Sequence, residues 1–167
     1  MKTCTFFGHR DAPQFLRGAL KNKIIELIVQ QGVDCFYVGN HGQFDAMVLS
    51  VLQELAPLYP HIKYCVVYAY LPNENTPAEN VILPEGIEFA HPKSAIPLRN
   101  EWMIDRSDYV VTYVTHLRSG AAKFKAMAEQ MGKGFTIFIE ERMQECRECP
   151  AFFLKITYIS PFFRINQ

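Results

Sequence analysis

The sequence predicts one α/β domain of the doubly wound, Rossmann-like class with a mostly parallel sheet. Three observations carry that prediction. Short apolar runs of strand length alternate with amphipathic stretches of helical length. Glycines stand where several of those runs end. The chain has 167 residues, enough for one domain with a sizeable buried core.

Lys2 to Phe7 is the first expected strand, ended by Gly8-His9-Arg10. From Pro13 to Gln31 the apolar residues Phe15, Leu16, Ala19, Leu20, Ile24, Leu27 and Ile28 keep helical spacing, with Pro13 suited to a first turn and Gly32 to the stop. Asp34 to Val38 is a continuous apolar run, which suits a strand buried on both faces. The turn Gly39-Asn40-His41-Gly42 follows, then a helical stretch from Phe44 to Tyr59 that stops at Pro60. Lys63 to Ala69 is the third strand. Tyr70 to Pro84 is rich in proline and asparagine without a period, a long loop of the kind that carries function or moves. Ile87 to Ala90 is expected as a short edge strand closed by His91-Pro92, because a residue before proline is pushed towards extended conformations. A helix from Ile96 to Ser107, a buried strand at Tyr109 to Val114, a helix from Gly120 to Met131 and a strand from Phe135 to Ile139 complete the alternation. Counted along the chain, the core strand order expected is about 3-2-1-5-6, with the extra strand at an edge. Residues from about 143 onward form an aromatic extension. Its Phe152-Phe153-Leu154 and Pro161-Phe162-Phe163 are too apolar for a free tail, so they are expected to pack on the domain or on a second copy of the chain.

Seventeen basic and seventeen acidic residues leave no net charge. A broad nucleic-acid surface needs clustered basic residues to displace counterions, so none is expected, although a local basic pocket is compatible with this balance. No apolar stretch is long enough to cross a bilayer and the N-terminus lacks a secretory pattern, which makes the cytoplasm the expected location and excludes a membrane partner. Cys4, Cys35 and Cys65 stand in strand runs and read as small core residues. Cys146 and Cys149 form a Cys-x-x-Cys without a second pair, too few ligands for a zinc site. His61, His91 and His116 lack ligand spacing, and neither a dinucleotide fingerprint nor a P-loop occurs. Neither metal nor cofactor is expected.

In a parallel sheet, ligands bind beyond the carboxyl ends of the strands, where the winding direction reverses. Gly8, the Gly39–Gly42 turn and Ser119-Gly120 all fall at such ends. A helix that starts at Gly42 or Gly120 offers unpaired N–H groups and a partial positive charge, a natural seat for phosphate. For any one turn, glycine serving tight geometry is the better explanation; three together suggest a site.

The segment from Arg99-Asn100 through Met103-Ile104-Asp105, Ser107-Asp108 and Tyr109-Val110-Val111 to Ser119-Gly120-Ala121-Ala122 resembles the SLOG superfamily, which contains DprA and the LONELY GUY proteins. Its closest likeness is to the YpsA-like branch. Thr5-Phe6-Phe7-Gly8-His9-Arg10 is similar to that branch's opening, and Gly39-Asn40-His41-Gly42-Gln43-Phe44-Asp45 to its second turn. The resemblance runs from about Thr3 to Ile139. It implies one nucleotide-binding domain over residues 1–167 that holds a nucleotide or ribosyl ligand. The residues it marks for binding are Gly8, His9, Arg10, Gly39, Asn40, Gly42, Asp45, Arg99, Asn100, Ser119, Gly120 and Ala121. LONELY GUY enzymes hydrolyse the N-glycosidic bond of nucleoside monophosphates with an arginine and a glutamate. Arg99 matches the arginine, whereas the glutamate's place reads Lys123-Phe124-Lys125-Ala126. Binding or sensing is therefore the expected function. The alternatives are a hydrolase with a different set, such as His9, Asp45 or Glu101, and a structural or interaction protein.

Three candidates have structural readings of equal weight, among them His9, which can touch a ligand or serve structure at the end of the first strand. Asn100 can read a base or ribose, or face solvent. Asp45 can hold ribose, or oppose the dipole of the helix it begins. Asp105 and Asp108 are expected to serve structure at the helix-to-strand junction.

Overall fold

Strand β1 (Lys2–Gly8) lies inside the sheet with both faces buried, and its alternating side chains feed two separate cores. In the computed structural model, residues 1–72, 79–116 and 118–133 are described, together with the backbone of two later strands. After β1 come α1 (Leu16–Glu26), β2 (Val33–Val38), α2 (Gln43–Leu55), β3 (Lys63–Val67), β4 (Val81–Ile82), α3 (Pro92–Asp105), β5 (Tyr109–Tyr113), α4 (Gly120–Gln130), β6 (Thr136–Glu140) and β7 (Lys155–Tyr158). The sheet order is β4-β3-β2-β1-β5-β6-β7, parallel throughout except that β7 pairs antiparallel with β6. The chain winds from β1 outward to β4, then crosses back to β5 on the other side of β1. The reversal point is therefore the pair β1 and β5.

Side-chain alternation of period two assigns the faces. Cys4 and Phe6 of β1, Phe36 and Val38 of β2, and Tyr109, Val111 and Tyr113 of β5 join Leu16, Leu20 and Ile24 of α1 and Phe44, Val48, Val51 and Leu52 of α2 in the larger core. Phe7, Val67 and Val110 face the other way, towards Met103 and Ile104 of α3 and Phe124 and Ala128 of α4. Helices thus cover both faces, as the alternation in the sequence predicted. Gly8 lets α2 lie close to β1: a Cβ there would sit 2.2 Å from the Phe44 ring.

The junction between α3 and β5 is tied to the start of β1. Asp108 Oδ2 accepts from the Thr3 amide at 2.8 Å and from its hydroxyl at 2.9 Å, and Ser107 Oγ donates to the Met103 carbonyl at 2.7 Å. This is the amino end of the strands, away from the reversal-point crevice.

Several boundaries differ from expectation: α3 starts at Pro92 rather than Ile96, α2 ends at Leu55 rather than Tyr59, and two further differences have local reasons. The edge strand is Val81–Ile82, whereas Ile87–Phe89 forms a 3₁₀ turn. Gly86, at φ 80°, turns the chain, and the amides of Ile87, Phe89 and Ala90 bond locally to Pro84, Gly86 and Ile87, so that segment offers no ladder. Asn80 and Ile82 instead accept from Val66 and Tyr68 of the third-strand region. The first helix starts at Leu16, with the Leu16 amide bonded to Pro13, and widens to a π-helix over Leu27–Gln31 before Gly32, at φ 68°, ends it. Residues 73–78 of the long loop lie outside the described residues. So do Cys146, Cys149 and the aromatic triplets at 152–154 and 161–163. No helix among the described residues is long and apolar enough to cross a membrane.

Candidate functional site

A cavity of about 340 Å³ opens at the carboxyl ends of β1 and β2, between α3 and the start of α4. Its walls bring together nine of the twelve residues marked in the sequence: Gly8, His9, Arg10, Gly39, Asp45, Arg99, Asn100, Gly120 and Ala121. Asn40 is exposed outside it, and Gly42 and Ser119 do not line it.

Helix α3 supplies one wall. Ile96, Arg99, Asn100 and Met103 recur at the spacing of a single helical face and all line the cavity. Arg99 is 3% exposed, yet among the described residues no carboxylate lies within ion-pairing distance. Its Nη1 donates to the Val67 carbonyl at 2.9 Å, and its buried Nε has no partner. Burial lowers its pKa, and the nearby Asp45 and Tyr70 oppose that shift. A buried cation with an idle donor, facing a cavity, suits an anionic or hydrogen-bond-accepting ligand. Asn100, 8% exposed, stands one residue further along the same wall.

The turn before α2 is already filled by the protein. A Cβ on Gly39 would lie 2.3 Å from Asp45 Oδ2 and 2.5 Å from Arg99 Nη1. A Cβ on Gly42, which has φ +103°, would lie 2.8 Å from the Arg10 Cα. The Arg10 carbonyl accepts from the Gln43 amide at 2.8 Å, and Asp45 Oδ2 accepts from the His41 amide at 2.9 Å. Asp45 therefore braces the turn and lines the cavity at once. Burial raises its pKa, an effect opposed by the His41 amide and Arg99.

The turn before α4 is different. Ser119 caps the helix: its Oγ accepts from the Ala122 amide at 3.2 Å and donates to the His116 carbonyl at 2.7 Å. A Cβ on Gly120 would meet nothing within 4 Å. Gly120 and Ala121 thus bring the first turn of α4 to the cavity wall, and a helix N-terminus is a place that receives an anion.

His9 spans the reversal point. Its Nε2 accepts from the Thr115 amide at 2.8 Å, so the imidazole is neutral with its proton on Nδ1, and its ring lies 5.7 Å from Tyr113 and 5.4 Å from His116. Burial lowers its pKa, His116 adds to that, and Asp11 opposes it. His41, in the turn after β2, also lines the cavity. Its buried Nδ1 lacks a partner, and its ring meets Tyr70 edge-on at 5.6 Å. Burial lowers its pKa, reinforced by Arg99 and Arg10. Sequence reasoning missed the apolar lining of Phe6, Phe7, Ile96 and Phe124, although Ile96 was accessible from the helical spacing around Arg99. Asp45 is the one carboxylate among the described lining residues; Glu101 is not among them. No group of acidic, histidine or cysteine side chains among the described residues could hold a metal ion.

No protein-family model and no curated protein matches the chain. Solved structures do. DNA processing protein A from Helicobacter pylori, described for its single-stranded DNA binding mode, superposes with a TM-score of 0.61 at 16% identity, covering 86% of this chain and 67% of that one. DNA processing protein A (DprA) from Streptococcus pneumoniae gives a TM-score of 0.65 at 14% identity, covering 87% of this chain and 52% of that one. The chain spans about two thirds of the first and about half of the second. These likenesses establish the fold. They also correct the expectation drawn from net charge, that a broad nucleic-acid surface is absent: a protein of this fold binds single-stranded DNA, and a zero total says nothing of how charges are distributed over a surface. At these identities, the α/β Rossmann-like fold of DNA processing protein A is what this chain shares.

Proposed function

We propose that the chain binds a nucleoside monophosphate or a related ribosyl phosphate, as a member of the YpsA-like branch of the SLOG superfamily acting in the cytoplasm. The phosphate lies against the Gly120 and Ala121 amides with Arg99 as its counter-charge. Sugar and base extend along Asn100, Ile96, Met103 and Phe124. The observation that carries this reading is Arg99, buried beside the cavity with its Nε unpaired. The cavity, at about 340 Å³, stands at the small end of the ligand-pocket range of roughly 300–1,000 Å³, which favours one nucleotide over a dinucleotide.

Thermal melts against nucleoside monophosphates, cyclic nucleotides and ribose 5-phosphate test it. A ligand at about one hundred times its Kd adds about 2.7 kcal/mol, an upward Tm shift of about 5–10 °C for a chain of this size. No shift across the panel contradicts the proposal. Recovery of intact nucleotide supports binding, whereas release of free base that Asp45→Ala abolishes favours the hydrolase alternative.

A second reading comes from the Helicobacter pylori neighbour and its single-stranded DNA binding. Here the cavity takes one nucleotide of a strand, and the exposed Arg10 and Arg118 meet the flanking phosphates. An oligodeoxynucleotide then binds more tightly than a mononucleotide, with an affinity that falls steeply with salt. Equal affinity for both removes this reading.

A further inference from the structure

Outside the cavity, the register of β2 and β3 assembles four side chains on one face of the sheet. Cys35 lies opposite Lys63, and Tyr37 lies opposite Cys65. Period two puts all four on the α3 side, where Tyr37 meets the Trp102 ring edge-on at 5.5 Å and Arg106 stacks 4.3 Å over that ring. Both cysteines are free, Cys35 buried and Cys65 partly exposed. The two cysteines are diagonal neighbours on this face, and each is the largest influence on the other's ionisation. Two strand positions beyond Cys65 is Val67, whose carbonyl holds Arg99.

We propose that Cys65 and Cys35 are an oxidisable dithiol, Cys65 being the thiolate that a peroxide attacks and Cys35 the thiol that resolves it. In the first step the Cys65 thiolate displaces hydroxide from the peroxide O–O bond and becomes a sulfenic acid. In the second the Cys35 sulfur attacks the Cys65 sulfur, and the sulfenic hydroxyl leaves as water with the Cys35 proton. The two thiols lose two electrons, and hydrogen peroxide is reduced to two waters.

Three features support this assignment of roles. Cys65 is the more exposed of the pair, so the oxidant reaches it first. The Cys35 thiol and the Lys63 ammonium favour its thiolate and bring its pKa to about 7, the environment in which reactive cysteines occur. Cys35 is pushed the other way by its contact with Cys65 and by burial, which keeps it a protonated resolving partner. Cys4, fully buried with its pKa raised by desolvation, is an inert reference thiol in the same chain. Closing the bond must draw diagonal strand neighbours together, because a disulfide holds its Cα atoms within roughly 4.4–6.8 Å. Tyr37 moves with that change, and Trp102, the single tryptophan, reports it.

The test treats the full chain carrying Cys146→Ser and Cys149→Ser with one equivalent of hydrogen peroxide. The readouts are intact mass, peptide mapping and Trp102 emission, and none of them needs the cavity's ligand. The expected result is loss of two hydrogens, a Cys35–Cys65 linked peptide and altered emission, all reversed by a dithiol reductant. Cys35→Ser in the same background stops at a Cys65 sulfenic acid trapped by dimedone. Without peroxide, Cys65 alkylates at pH 7 about fivefold faster than an unperturbed thiol. A Cys65 that alkylates no faster than Cys4, or that oxidises without linking to Cys35, overturns the proposal.

Discussion

The two glycine-bearing turns that open α2 and α4 look alike in sequence and do opposite work. Before α2, the space that glycine leaves is occupied by the protein itself: Asp45 and Arg99 press against Gly39, and Arg10 presses against Gly42 and takes the Gln43 amide. Before α4, a Cβ on Gly120 would meet nothing within 4 Å, and Gly120 lines the cavity. Glycine at a strand end thus marks either a close approach of protein to protein or room for a ligand. What separates the cases is whether neighbouring side chains already fill the room.

Substitutions break this comparison in order of size. Gly42→Ala places a Cβ at positive φ and against backbone, a cost of about 2–4 kcal/mol from conformational strain and overpacking together. It should lower Tm by about 5–15 °C in a calorimetric scan. Gly39→Ala collides with Asp45 and Arg99; we expect a loss of about 1–3 kcal/mol together with loss of ligand response, because the displaced groups line the cavity. Gly120→Ala should leave stability within about 0.5 kcal/mol of the parent yet weaken ligand binding at least about tenfold, a separation of effects expected only where the open space serves a guest. A Gly120→Ala protein that melts early, or binds as well as the parent, would equate the two turns.

The smallest effect is pH dependence, and it sharpens the contrast between the tied and the open end of the β5 to α4 connection. His9 and His41 have pKa values lowered by burial, so the folded protein holds them neutral while the unfolded chain takes up protons near pH 6.5. Their contribution is fully present above that value and is lost as pH falls below it. Stability should therefore decline between pH 7 and pH 5. His9→Gln, which keeps an acceptor for the Thr115 amide, should reduce that slope in melts across the range. An unchanged slope removes His9 from the account.

The alternation of runs made the sheet and its two helical layers legible, because a parallel strand buried on both faces has to be apolar along its length. The β4 edge was not legible. Val81–Ile82 is only two residues long, too short to show a pattern, and the turn at Gly86 takes Ile87–Phe89 into a 3₁₀ turn instead of a strand. In the cavity, Arg99 and Gly120 could be found because helix ends and a basic residue on an amphipathic helix have sequence signatures. That Gly42 stands apart could not be found, since it depends on where Arg10 goes after β1 ends. The place of Asp108 at a helix-to-strand junction marks it as structural, and it binds Thr3 there.

The central claim is that Arg99 and the open start of α4 together hold a phosphate. Isothermal titration of a nucleoside monophosphate into the parent and into Arg99→Gln, each confirmed as folded by its melt, tests it most directly. The account predicts saturable one-to-one binding by the parent and affinity reduced at least about a hundredfold in Arg99→Gln, in line with loss of a charge-assisted, bidentate contact worth about 3 kcal/mol. Binding of equal strength in both proteins would contradict it.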